Sequence, residues 1–389
     1  MEWLPMIAGG LTGLVLGVFW RESGLDRFLS ILFRRGRARL LSRSAATSGT
    51  HLRLGYLSVS DWEILDGVSP DGVVVATKVV SEELVRLPDD LLELRRDVEA
   101  ETLRRNERNE AAPYNGPRYA ISQIGFHRSS DRLETNTCHL NLKHSDYFNF
   151  LATGGSLDHT LPDGTTVRRK YYAGIDPRNI TRDFLFHSFG VNLAVITSDE
   201  RLIVVQRSES VDILPDVLNS SVDEGLSRDL DVAPDRSVSV KNVGRRGLRE
   251  ELGLDADTIQ EYRLTSVGYS RHWCQYGALG HVILEIPWRD VAKALCFSKD
   301  ASFEIGRADD VGEGTVKAAK YSVFAVPNSP GEFARFLREH GKPMTSWALT
   351  CFLTSFLATG WTARQVETAF SSRRWRGIGR RIILPSSQP

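Results

Sequence analysis

The feature that most constrains the fold is a change of hydrophobic period between Phe189 and Gly253. Val191 to Thr197 (VNLAVIT) and Leu202 to Gln206 (LIVVQ) are β-branched runs joined by the polar turn Ser198–Arg201, the pattern of a β-hairpin. Further on, VKNVGRRGLREEL carries its apolar residues at helical spacing, begins near Ser239 and stops at Gly253, a residue suited to capping a helix C-terminus. Strands are predicted at Leu264–Tyr269, Gly280–Ile286 and Lys320–Val326. A loop covers Ser302–Thr315, and helices cover Gly331–His340 and Thr345–Thr359. This mixture is α+β and about the size of one domain.

Upstream, Val73–Val80 reads as a strand. Ser81–Asn109 reads as a helix interrupted at Pro88, where Asp89 and Asp90 can start a new one. Arg118–His127 and Thr135–Lys143 read as strands, and Tyr147–Thr153 as a short helix or strand. His139, His144 and Asp146 offer metal-binding chemistry, but solvated or hydrogen-bonded histidines are the commoner use of such residues. The chain therefore divides into an N-terminal segment 1–50, a mixed α/β region 51–186, an α+β domain 187–360 and a basic C-terminal tail 361–389.

Formal net charge is zero, from 49 basic and 49 acidic residues, which argues against a strongly basic nucleic-acid binder. The zero conceals a net +4 in residues 1–50, +5 in residues 371–389 and −9 between them. Trp3–Trp20 is an uncharged run of 18 residues, just long enough for a bilayer helix, which needs at least about 17. Glu2 precedes it and seven arginines from Arg21 to Arg43 follow, so a single-pass anchor would leave the C-terminal body in the cytoplasm. Gly9, Gly13 and Gly17 share one face of that helix, which suits a homodimer contact. The basic tail SSRRWRGIGRR suits anionic membrane lipid, with a nucleic-acid backbone as the other polyanion it could meet and no specific nucleic-acid partner expected. Cys138, Cys274, Cys296 and Cys351 form no CxxC pair, which disfavours structural zinc.

Chemistry concentrates at the end of the helix that Gly253 closes. Arg246 and Glu250 are four apart and can pair along one face. Glu250 and Glu251 sit in the last turn, where the helix dipole disfavours negative charge by about 0.3–1 kcal/mol each. A divalent cation with hard-oxygen preference, Mg²⁺ or Mn²⁺, would compensate both and could present a diphosphate.

Arg246-Gly-Leu-Arg-Glu-Glu-Leu-Gly-Leu254 resembles the second half of the Nudix box, R-E-U-x-E-E-x-G-U with U aliphatic. Eight of its nine positions agree, counting the two unrestricted ones. The hairpin ending VVQRS resembles the strand pair that precedes the box. The resemblance covers roughly Phe189–Thr359. It implies a Nudix-like α/β/α sandwich around a mixed sheet, with metal-dependent hydrolysis of a nucleoside diphosphate linked to another moiety. It makes Glu250 and Glu251 metal ligands and gives Arg246 the role of orienting the glutamates.

The sequence departs from the pattern at Gly247, where the family has a glutamate. The first half of the box is also out of register, with 20 residues between Gly225 and Arg246, more than the family spaces there. Asp223 or Glu224 could supply the missing carboxylate, Glu224 being taken as the third metal ligand. Among the carboxylates of Ser302–Gly314, which are Glu304, Asp309, Asp310 and Glu313, Glu304 is taken as the candidate base. Arg271 and Trp273, between two predicted strands, are candidates for holding a phosphate and stacking on a base. The expectation is a membrane-anchored Nudix-like hydrolase. Its alternative is a nucleotide-binding sensor that has lost turnover at Gly247.

Overall fold

A computed structural model of the chain describes residues 51–54, 57–66, 72–108, 112–127, 136–207, 214, 216–233, 235, 237–295, 298, 311–312, 315–317, 322–371 and 375. The run Trp3–Trp20, its three glycines, Glu304 with the other acids of its loop, Cys296 and most of the basic tail lie outside the described residues. Among the described residues no helix is long and apolar enough to cross a membrane.

The hairpin predicted at the centre is present as β6 (Phe189–Ile196) and β7 (Arg201–Gln206). It lies inside a mixed sheet that comprises eleven strands among the described residues. On one side of β6 lies β11 (Gln275–Leu284), paired parallel, followed by β10 (Ile259–Ser270), β2 (Leu57–Asp66) and β1 (His51–Leu54). On the other side of β6 lie β7 and β9 (Val222–Gly225), and β7 carries β8 (Leu218–Asn219). Beyond β7 come β14 (Ser322–Pro327), β13 (Thr315–Lys317) and β12 (Val311–Gly312).

Period-two alternation gives this sheet two buried faces. Val191, Leu193, Val195, Ile203 and Val205 join one core, while Ala194, Ile196, Leu202 and Val204 join the other. The second core is built by α5 (Pro330–His340), α6 (Ser346–Ala358) and α7 (Ala363–Phe370). Facing the first core is a smaller sheet, in which β5 (Thr137–Asp146) pairs parallel with β3 (Val74–Leu84) and antiparallel with β4 (Pro117–His127). Between the sheets lies α3 (Val240–Leu252), whose Val240, Val243 and Leu248 share a cluster with Val191 and Leu193 of the large sheet and Leu140 and Leu142 of the small one. The small sheet carries α1 (Asp89–Glu107) and α2 (Tyr147–Ala152), and α4 (Trp288–Leu295) follows β11.

Several expectations are corrected here. Ser81–Leu84 continues β3, and the helix starts only after Pro88, whose ring is tolerated at a helix start but not inside one. The first part of the presumed tail is α7, opened by a reciprocal Thr362–Gln365 capping box, with Val366 and Phe370 buried. Leu57–Asp66, read only as mixed structure, forms β2 and pairs with β10, so residues from both sides of position 187 share one sheet.

Candidate functional site

The helix α3 is delimited by local chemistry at both ends. The Ser239 hydroxyl accepts from the Asn242 amide at its start, and Gly253 closes it in the left-handed conformation at φ 69°. That places Arg246, Glu250 and Glu251 on a rigid element packed against β9.

Arg246 is buried and gathers three carboxylates. Its Nε and one terminal nitrogen donate to Asp231 at 3.0 and 2.9 Å, a two-pronged pairing with a carboxylate that has no exposure. The other terminal nitrogen reaches Glu250 and Glu224, both at 3.1 Å, and the Gly225 carbonyl accepts at 2.8 Å. Burial opposes the charge of Arg246, but the surrounding carboxylates hold its pKa above the ordinary arginine value. Burial raises Glu224 above the ordinary glutamate range, Arg246 opposing and Glu250 adding to the rise.

The long insertion before the helix has a definite use. The isolated pairing of Val232 with Val238 folds it back on itself, the Ser227 amide fixes the Asp231 carboxylate at 2.7 Å, and Asp231 thereby reaches Arg246.

Gly247 lies where α3 presses on β9. A Cβ there would fall inside van der Waals contact of Val222 Cγ1 and 3.0 Å from Glu224 Cβ. A glutamate at 247 does not fit this packing. The carboxylate that stands beside Arg246 and Glu250 comes instead from Glu224, on the neighbouring strand. Arg118 of β4 also approaches, its guanidinium filling the space beside Gly225 and stacking on the Tyr147 ring at 4.7 Å.

Glu251 faces a different set of groups. Its carboxylate accepts from the Asp223 amide at 3.1 Å. Asp223 accepts from Asn219 Nδ2 at 2.9 Å, and Asn219 Oδ1 accepts from Trp347 Nε1 at 3.1 Å. Trp347 meets Trp273 edge to face at 6.5 Å. The turn carrying Trp273 is thus linked by contacts to the glutamates of α3. That turn is held by Asp61 of β2, whose carboxylate accepts from the Ser270 hydroxyl, the His272 amide at 2.6 Å and the Ser346 hydroxyl. Nothing local in the sequence marks Trp347 or Asp61, because each acts through a partner remote along the chain.

Arg271 points elsewhere, paired with buried Glu63 and donating to the Ile175 carbonyl at 3.2 Å. His139 is exposed on β5. Asp146 is committed to Arg95 at 2.8 Å and to capping α2, and His144 sits an odd number of residues from His139, on the opposite face of the strand. Among the described residues no three His, Cys, Asp or Glu side chains converge on one metal position. The donor chemistry of Glu250 and Glu251 nevertheless suits a hard cation, which takes one or two carboxylates and completes its shell with water and phosphate oxygens.

No family model matches the chain, and no curated protein does. Among solved structures it is similar to the crystal structure of DR0079 from Deinococcus radiodurans, at 19% identity over 26% of this chain and 58% of that one, with a TM-score of 0.21. The similarity spans little more than half of that protein, and a likeness this limited bears on neither fold nor activity.

Proposed function

We propose that the chain is a Nudix-like pyrophosphohydrolase with an α/β/α arrangement, acting on a nucleoside diphosphate linked to another moiety with Mg²⁺ or Mn²⁺. The observation that carries the reading is the cluster on α3. Asp231, Glu224 and Glu250 surround Arg246, while Glu251 stands beside them on the Asp223 amide. Three carboxylates share one guanidinium, and Glu224 has its pKa raised chiefly by burial, with the neighbouring Glu250 adding to the rise.

In this reading Glu250 and Glu251 would hold the cation, which when bound stabilises negative charge on the phosphates and acidifies a water, and Glu224 would join them only by leaving Arg246. Arg246 positions Glu250 and Glu224, and Asp231 holds Arg246. Trp273 offers an aromatic face to the base. Glu304 remains the proposed base. The segment Trp3–Trp20 would anchor the protein as a single-pass helix, pairing through Gly9, Gly13 and Gly17, with the body cytoplasmic and the basic tail on anionic lipid.

A second reading has a specific observation behind it. Gly247 is packed against Val222, so the family's third helix carboxylate has no room, and both Glu224 and Glu250 already engage Arg246. That suits a nucleotide-binding module without turnover. Incubating the full chain with nucleoside diphosphate derivatives, with and without Mg²⁺, separates the two. Metal-dependent release of a nucleoside monophosphate is the expected result; saturable binding with no product would establish the module instead.

A further inference from the structure

A cavity of about 350 Å³ lies between the β10–β11 turn and the segment 166–175, apart from the glutamates of α3. Three of its nine lining residues are arginines, Arg168, Arg169 and Arg271, and none is acidic, which favours an anionic ligand. The wall is a five-residue π-helical turn, Arg168–Tyr172, a rare form that is frequent at functional sites.

Two of the arginines are held in place by the fold. Arg168 grips Asp158 through two nitrogens at 2.8 and 3.0 Å and donates to the His272 carbonyl at 2.6 Å. Arg271 is tied to Glu63 and to the Ile175 carbonyl. Arg169 differs. Among the described residues its side chain has no hydrogen-bond or ion-pair partner, and the residue lines the same wall. Tyr172 and Ile175 supply an apolar floor. The volume is within the range of small-molecule sites, about 300–1,000 Å³.

We propose that this cavity binds a small phosphomonoester, with the phosphate dianion on Arg169 and the neighbouring guanidinium edges and a compact apolar body against Tyr172 and Ile175. A planar guanidinium presents paired donors that match phosphate oxygens, and a phosphomonoester carries between one and two negative charges at neutral pH. The site does not depend on the hydrolase reading.

The test is calorimetric titration of the full chain with phenyl phosphate in the presence of EDTA, with phenol and inorganic phosphate as comparators. Phenyl phosphate binds saturably, inorganic phosphate more weakly, and phenol not at all. Arg169→Ala weakens phenyl phosphate about tenfold or more, the worth of one lost charge-assisted hydrogen bond, without lowering the melting temperature, and Arg169→Lys recovers part of the affinity. The proposal is overturned by absence of saturable binding, by an affinity that Arg169→Ala leaves unchanged, or by binding that appears only when Mg²⁺ replaces EDTA, which would place the ligand on the glutamates.

Discussion

Replacing Gly247 by alanine separates local propensity from packing, because the two give opposite signs. In a helix interior, Gly→Ala is worth about 1 kcal/mol of added stability on propensity alone. At 247 the added methyl would enter the contact radius of Val222 Cγ1 and lie 3.0 Å from Glu224 Cβ. Neither neighbour yields cheaply. Val222 is fully buried and β-branched, and the Glu224 Cβ is fixed to the strand backbone. Overpacking of this kind costs about 1–3 kcal/mol, which cancels the propensity gain and leaves a net loss of up to roughly 2 kcal/mol. Gly331 of α5 is the control, since a Cβ there meets nothing within 4 Å. Urea denaturation should give a lower midpoint for Gly247→Ala and an equal or higher one for Gly331→Ala, with unchanged slopes. If Gly247→Ala gains the full 1 kcal/mol or so that propensity alone would give, the close approach of α3 to β9 is wrong, and with it the reason no glutamate stands at 247.

Arg246→Met strands the fully buried Asp231 carboxylate and should cost about 3–5 kcal/mol in urea denaturation, much of which the double variant with Asp231→Leu recovers. Glu224 has a raised folded-state pKa, so the native state holds its proton more tightly than the unfolded chain. The parent chain should therefore lose stability relative to Glu224→Gln as pH rises from the ordinary glutamate range, about 4.3, and a slope of the opposite sign refutes this. His187 is buried and neutral between the Ser145 hydroxyl and the Phe184 carbonyl, and burial pulls its pKa down to about 4. Its contribution of about 3 kcal/mol is complete above the unfolded value near 6.5 and disappears as pH falls towards 4, a dependence that His187→Gln should flatten.

What could be read from the sequence was what local chemistry decides. The hairpin 189–206 is set by β-branched runs and a polar turn. The helix 240–252 is bounded by Ser239 and Gly253, whose roles follow from side-chain capping and a positive φ. The same kind of signal was present at Thr362–Gln365, where a capping box and the i, i+4 pair Val366 and Phe370 mark α7, although surrounding basic residues suggested a tail. Glu250 and Glu251 were legible because both lie on one helix turn. The partners of Arg246 were not. Asp231 and Glu224 arrive from a folded-back insertion and a neighbouring strand, and only long-range pairing of β9 with β6 brings them to the helix. Likewise Asp61 supports the Trp273 turn across a strand pairing between residues some two hundred positions apart.

The claim that α3 carries a metal-dependent hydrolytic centre is tested most directly by comparing the full chain with Glu251→Gln. Both are assayed for nucleoside monophosphate released from nucleoside diphosphate derivatives under Mg²⁺, with melting temperatures measured in parallel. The account predicts Mg²⁺-dependent release by the parent chain and a loss of about 100-fold or more in the variant at similar stability, as expected when about 3 kcal/mol of transition-state stabilisation is removed. Release that is undiminished in Glu251→Gln, or that proceeds equally in EDTA, would contradict it.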